Sequence, residues 1–220
     1  MAGELVVASS VSKVYATGEA GVEAVVDASC AVVSGDRIAL VGPSGSGKST
    51  LLYILGGLEE ATSGMVTWPQ LAPGARMAPR YAAFIFQQPN LLPPLTAGEN
   101  VAVPLLLAGV DAERAAAAAS AALTALQLEA LSDKLPEELS GGQAQRIGLA
   151  RAIASEPRLI LADEPTGQLD SAAADHVVEQ LLEAADAAHA ALVVATHDER
   201  VANRLATRWT IRHGRLETTK

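Results

Sequence analysis

Residues 42–50 read Gly-Pro-Ser-Gly-Ser-Gly-Lys-Ser-Thr, directly after the short apolar run Arg37–Val41 and directly before the helix-favouring stretch Ser49–Leu55. No other segment constrains the fold as strongly. The glycines Gly42, Gly45 and Gly47 let the backbone curl so that several N–H groups point inward. The helix that follows turns its positive end to the same place. The stretch matches the phosphate-cradle pattern in full. Gly42, Pro43, Ser44, Gly45, Ser46, Gly47, Lys48, Ser49 and Thr50 are therefore candidate phosphate-binding residues. Lys48 is expected to reach the β- and γ-phosphates of a nucleoside triphosphate, and the Ser49 hydroxyl to bind Mg2+. Taken alone, the loop says only that such a nucleotide binds.

The rest of the chain reads as α/β. Strands are expected at Leu5–Ala8, Lys13–Tyr15, Val22–Val33, Arg37–Val41, Tyr81–Phe86, Arg158–Ala162 and Ala191–Ala195. Helices are expected at Ser49–Leu55, Asp111–Leu131, from Ser140 to about Pro157, at Ser171–Ala188 and at Asp198–Leu205. Asp111 is the expected cap of its helix. Ser140 followed by Gln143 makes a capping-box pattern. Residues 63–79 are rich in Gly and Pro and read as loops around short strands, and Pro89, Pro93 and Pro94 mark another loop. Residues 207–216 read as a hairpin turning at His213-Gly214. Alternating strands and helices in the second half imply a parallel sheet. The β-rich beginning implies an antiparallel part, and residues 89–155 form a helical insertion. One domain over residues 1–220 is expected, with 1–88 and 156–220 as its core.

Composition narrows the functional classes. Apolar residues make up 50% of the 220 but aromatics only 3%, so the core must come from Ala, Val, Leu and Ile. A net charge of −9 argues against a broad nucleic-acid surface, and no nucleic-acid partner is expected. The longest apolar run, Val101–Val110, is too short to span a bilayer and contains Pro104. With no basic-then-apolar start, the chain is expected in the cytoplasm. Cys30, the one cysteine, cannot form an internal disulfide and is expected as a small buried hydrophobe. His176, His189 and His213 lack partnered spacing and are expected in solvent.

Two further segments carry chemistry. Leu159–Ala162 is an apolar strand that ends in Asp163-Glu164. Ligands of parallel sheets sit at the carboxyl ends of strands. Asp163 is expected to hold Mg2+, and Glu164 to orient or deprotonate an attacking water. The second segment, Leu139–Arg146, reads Leu-Ser-Gly-Gly-Gln-Ala-Gln-Arg. Ser140 caps a helix whose first residues, Gly141 and Gly142, expose N–H groups, which makes a second anion-seeking helix end.

On these residues the chain resembles the ABC ATPases along essentially its whole length. Ser140, Gly141, Gly142 and Gln143 match the signature motif of that family. The resemblance implies a P-loop NTPase fold with a RecA-like core sheet, an antiparallel β subdomain and an inserted α-helical subdomain. It implies that Tyr15 stacks on adenine and that Gln87 contacts Mg2+ and senses a membrane partner. The loop Gly167–Asp170 would cross to a second subunit, and His197 would contact the γ-phosphate. Two copies would pair head to tail as a homodimer, each ATP clamped between the phosphate loop of one and the signature of the other. An integral membrane partner would dock near Gln87 and residues 89–96 and hold the chain on the inner face of the cell membrane. The wording of residues 86–93, 95–101 and 162–167 is similar to the lipoprotein-releasing, macrolide-export and cell-division ATPases. Gln168 stands where that subgroup often has Asn, and Ala144 where Gln is common. The implied function is ATP hydrolysis that drives a membrane exporter. The alternative is an ATP-gated regulator of the cell-division type, and cargo stays open between them.

Overall fold

The structure is a computed structural model and describes residues 3–17, 20–71, 81–167 and 169–219. In chain order the elements are β1 Glu4–Thr17, β2 Ala20–Val33, β3 Arg37–Val41, α1 Lys48–Leu55, β4 Ser63–Thr67 and β5 Ala82–Ile85. There follow α2 Ala97–Leu107, α3 Ala112–Ala125, α4 Gly141–Ile153, β6 Leu159–Asp163 and α5 Ser171–Ala187. The chain closes with β7 Ala191–Thr196, α6 Glu199–Ala202, β8 Thr207–Arg212 and β9 Arg215–Thr219. These elements fall into two compact units, residues 1–77 with 189–220, and residues 78–188.

In the first unit β2, β1 and β4 form an antiparallel sheet. The two short strands expected at Leu5–Ala8 and Lys13–Tyr15 are one strand, β1, interrupted by bulges that shift its register against β2. A bulge adds a residue and bends the strand without ending it. The second sheet of this unit runs β7-β3-β8-β9, parallel except for the final β8–β9 hairpin. That hairpin turns on His213 and Gly214, at φ 49° and 74°. Two successive positive φ values make the turn whose twist matches its flanking strands. Helix α1 packs against β1, β2 and β7. Its Leu51, Leu52, Ile54 and Leu55 are all at most 1% exposed.

In the second unit β5 and β6 pair in parallel, with Ile85 opposite Ala162. Every residue of β6 is buried, as a strand covered on both faces must be. Helix α4 packs on β5, α2, α3 and α5. Arg146 braces this assembly, donating from Nε to Gln180 Oε1 and from Nη2 to the carbonyl that ends α3, at Leu126. Helix α2 has no counterpart among the expected helices, because Pro104 reads as a break. Thr96 and Glu99 nevertheless close a full capping box at its start. Buried Ala97, Val101, Ala102 and Leu105 then give it an apolar face. Asp111 caps α3 as expected. That helix stops at Ala125, where Gln127 turns into the left-handed region at φ 57°, and only a 3-10 turn at Glu129–Leu131 continues it. Helix α6 is likewise a single turn, Glu199–Ala202, shorter than the expected Asp198–Leu205.

Candidate functional site

Each unit carries one half of the expected chemistry at the carboxyl ends of its parallel strands. In the first, the phosphate loop leaves β3 at Gly42 and enters α1 at Lys48. Gly47 is the residue before that helix and lies at φ 104°. A Cβ there would fall 2.0 Å from the carbonyl oxygen of Ala24, so only glycine lets the loop lie this close to β2. Gly42 is similarly pressed, since a Cβ would meet Ile211 O at 2.3 Å and Ser46 Oγ at 2.7 Å.

Helices α2 to α6 all have a side chain capping their first turn, whereas α1 has none. The positive end of α1 is thus left for an anion. Lys48 is 6% exposed, and its Nζ donates to the carbonyls of Gly42 at 2.9 Å and Pro43 at 3.2 Å, which holds the cation inside the loop. Ser46, 4% exposed, has a hydroxyl with no hydrogen-bond partner among the described residues. An orphaned buried hydroxyl, an uncapped helix end and a buried ammonium in one loop fit a polyphosphate.

The β8–β9 turn supports the loop from outside. Gly214 donates its N–H to Ser46 O at 3.1 Å and accepts from Val26 N at 2.8 Å. The His213-Gly214 turn was legible as a hairpin, but its tie to the phosphate loop depends on where the folded strands lie. His197 follows β7 directly. Because Val41 pairs with Thr196 in parallel register, His197 and Gly42 leave the sheet side by side. Thr196 is fully buried, and its hydroxyl accepts from Asp198 N at 3.0 Å, which fixes the turn just beyond the histidine. Arg200, through a side-chain hydrogen bond first and then its backbone N–H, holds the Asp198 carboxyl below the usual carboxylate range. Tyr15 lies on β1 with the Lys13 ammonium 5.1 Å from the centre of its ring.

The second unit repeats the arrangement. Since Ile85 pairs with Ala162, Phe86-Gln87 and Asp163-Glu164 follow at the same end of two neighbouring parallel strands. Asp163 is 5% exposed at the end of β6. Glu164 sits in the left-handed region at φ 45°, a conformation most side chains avoid and one found at functional sites. It reverses the chain at once, and its carbonyl accepts from Gly167 N at 3.0 Å. Gly167 fits between the two groups of interest. A Cβ there would lie 3.3 Å from the Gln87 amide nitrogen and 3.4 Å from Glu164 O. Asp170 caps α5, accepting from Ala173 N at 2.9 Å, and Gln168 lies outside the described residues.

The start of α4 is as the sequence indicates. Ser140 Oγ accepts from Gln143 N at 3.3 Å, and Gln143 Oε1 accepts from Ser140 N at 2.9 Å. Ser140 and Gly141 are exposed. A Cβ on Gly141 would meet nothing within 4 Å, and one on Gly142 would meet only Leu169 at 3.8 Å. This helix end therefore opens outward.

Sequence reading missed what fastens the segment after Gln87. Gln145 donates to Phe86 O at 3.1 Å, and Arg151 donates to Pro89 O at 2.6 Å and Asn90 O at 2.9 Å. Asn100, fully buried, accepts from Leu92 N at 2.7 Å and donates to the carbonyls of Leu92, Leu95 and Thr96. Among the described residues, no group of three or more His, Cys, Asp or Glu side chains is gathered to hold a metal. Ser49 in the first unit supplies a hydroxyl, and Gln87 and Asp163 in the second supply an amide and a carboxylate; each is a hard oxygen donor of the kind Mg2+ takes. No helix among the described residues is long and apolar enough to cross a membrane.

Comparison with known proteins agrees with this chemistry. The family described as ABC transporter matches residues 25–167. The chain is 44% identical over 200 residues to the lipoprotein-releasing system ATP-binding protein LolD of Legionella pneumophila (strain Paris), covering 88% of each. It is 40% identical over 215 residues to the LolD protein of Shewanella oneidensis, covering 94% of each. The dimeric, post-hydrolysis structure of the ATP-binding cassette MJ0796 bound to ADP and Pi is similar with a TM-score of 0.87 at 33% identity, covering 98% of this chain and 99% of that one. A phosphate loop beneath an uncapped helix, an acidic pair at the end of a buried strand, and a family match spanning both lead to one conclusion: the chain belongs to the ABC transporter family, as one of its P-loop ATPase subunits.

Proposed function

We propose that two copies of this chain close on two ATP molecules and that the closure drives a membrane exporter of the lipoprotein-releasing type. The observation that carries the pairing is the exposed end of α4, where Ser140 and Gly141 face solvent and, among the described residues, nothing lies within 4 Å of a Cβ built on Gly141. A second copy bringing its ATP there would complete the shell of donors around the γ-phosphate. Support for the transport reading comes from the two LolD relatives, which carry the name of a lipoprotein-releasing system over nearly their full length.

Within the assembled site Lys48 and the backbone of residues 42–50 bind the phosphates, and Tyr15 stacks on the base. Glu164 takes a proton from the water that attacks in line with the γ-phosphate, while His197 steadies the charge that develops on it. Ser49, Gln87 and Asp163 would hold Mg2+, which when bound neutralises charge on the phosphate oxygens. The segment 89–96, fastened by Asn100 and Arg151, is the docking place for the membrane-spanning partner. That partner would keep the chain peripheral to the inner face of the membrane.

The decisive experiment is Glu164→Gln. It keeps the shape of the side chain but removes the base, so ATP should still bind while turnover falls by roughly a hundredfold or more. ATP-bound dimer should accumulate and be visible by size-exclusion chromatography. A Glu164→Gln chain that hydrolyses ATP at the normal rate would falsify the assignment of the base.

A further inference from the structure

We propose that Lys13 is a positioning residue for the nucleotide base: Glu59 fixes its ammonium on one face of the Tyr15 ring, and adenine is thereby directed to the opposite face. The proposal rests on the reading of Tyr15 as the residue that stacks on adenine.

Lys13 and Tyr15 are two residues apart on β1, a spacing that returns side chains to the same side of a strand. The Lys13 Nζ lies 5.1 Å from the centre of the ring, within the distance of about 6 Å at which a cation is attracted to an aromatic face. The ammonium has little freedom to leave. It donates to Glu59 Oε1 at 2.5 Å and to Glu60 O at 2.8 Å, and the side chain is only 14% exposed. The hydrogen bond from Lys13 is the main reason the Glu59 carboxyl lies below its ordinary pKa, and the Tyr15 hydroxyl contributes to the same lowering.

The loop bearing Glu59 is itself anchored. Glu59 N donates to Tyr53 O in α1 at 3.2 Å, Thr62 N donates to Ser12 O at 2.8 Å, and Val14 N donates to Thr62 Oγ1 at 3.1 Å. Helix α1 starts at the phosphate loop, so the ring and the loop share one frame through α1 and β1. With one face of the ring taken by the ammonium, a base has a single face left to stack on. A four-carbon side chain whose charge were merely solvated would not be held by two acceptors above a ring.

Steady-state ATP hydrolysis by the full chain tests this, using Lys13→Met, Lys13→Arg, Tyr15→Leu and the double variant Lys13→Met/Tyr15→Leu. Lys13→Met should raise KM for ATP roughly three- to tenfold with kcat unchanged, the range a partly desolvated cation–π contact allows. Lys13→Arg keeps the charge and should restore most of the affinity. The double variant should be no worse than Tyr15→Leu alone, because Lys13 acts through the ring. A Lys13 that only braced the fold would instead add its effect to that of Tyr15→Leu. If Tyr15→Leu raises KM but Lys13→Met leaves it unchanged or lowers it, the proposal is overturned. If Tyr15→Leu itself leaves KM unchanged, the stacking reading beneath it fails. Glu59→Gln removes the charge that holds the ammonium and must raise KM in the same direction even if Lys13→Met folds poorly.

Discussion

Three single residues show how backbone and burial set chemistry here. Gly47 at φ 104° is what allows the phosphate loop to lie against β2, because any Cβ would strike the Ala24 carbonyl. Glu164 accepts the left-handed conformation at φ 45° without being glycine. Such strain persists only where the surroundings enforce it, and here a fully buried strand precedes it and the Glu164–Gly167 hydrogen bond follows. Cys30, expected as a small buried hydrophobe, is half-buried, and desolvation pushes its thiol up to about 12. Only a thiolate reacts readily, so the native chain should resist iodoacetamide at mildly alkaline pH and label quickly once unfolded in guanidinium. Folding favours the neutral thiol. Its contribution is therefore complete below the ordinary thiol pKa and is lost as pH rises from roughly 8.5 toward the folded value. Urea midpoints should accordingly fall more between about pH 7 and about pH 10 in the native chain than in Cys30→Ala.

At the scale of elements, the segment after Gln87 illustrates how a loop without regular structure becomes rigid. Asn100 is the clearest case. Its side chain is fully buried in α2 and satisfies one N–H and three carbonyls of residues 92–96. Asn100→Ala would strand Leu92 N and Leu95 O, since Leu92 O also accepts from Leu95 N and Thr96 O from the backbone N–H of residue 100, and an unsatisfied buried polar group is expensive. The variant should lose about 3 kcal/mol of stability in urea unfolding, whereas Glu99→Ala, which removes half of a capping box, should lose about 1. Equal effects from the two would remove the clamp role. Helices α4 and α5 and the strands β3, β6 and β7 were legible because each has a cap or an unbroken apolar run. Helix α2 was not, because Pro104 masked its start signal, Thr96 with Glu99. The joining of β1 escaped as well, since a bulge in sequence looks like the end of a strand.

For the whole molecule, the two-copy reading makes a kinetic statement. If each ATP needs donors from both chains, the rate per mole of chain must fall on dilution below the dissociation constant of the dimer. A specific rate that stays constant over a wide dilution series would rule out the shared site. Each copy carries −9, so two copies repel, and moderate salt should strengthen association by screening. What the sequence by itself determined is the family and the candidate motifs. The phosphate loop, Asp163-Glu164 and Ser140–Gln143 are contiguous segments that can be read from the chain, because loop curvature and helix capping are local. What only the tertiary structure decided is which residues hold those motifs in place. Gly214 under Ser46, Arg151 on Pro89 and Asn90, and Glu59 on Lys13 are contacts between chain segments far apart. A hydrogen bond of that kind is fixed by where strands and helices come to rest, and no local pattern records it.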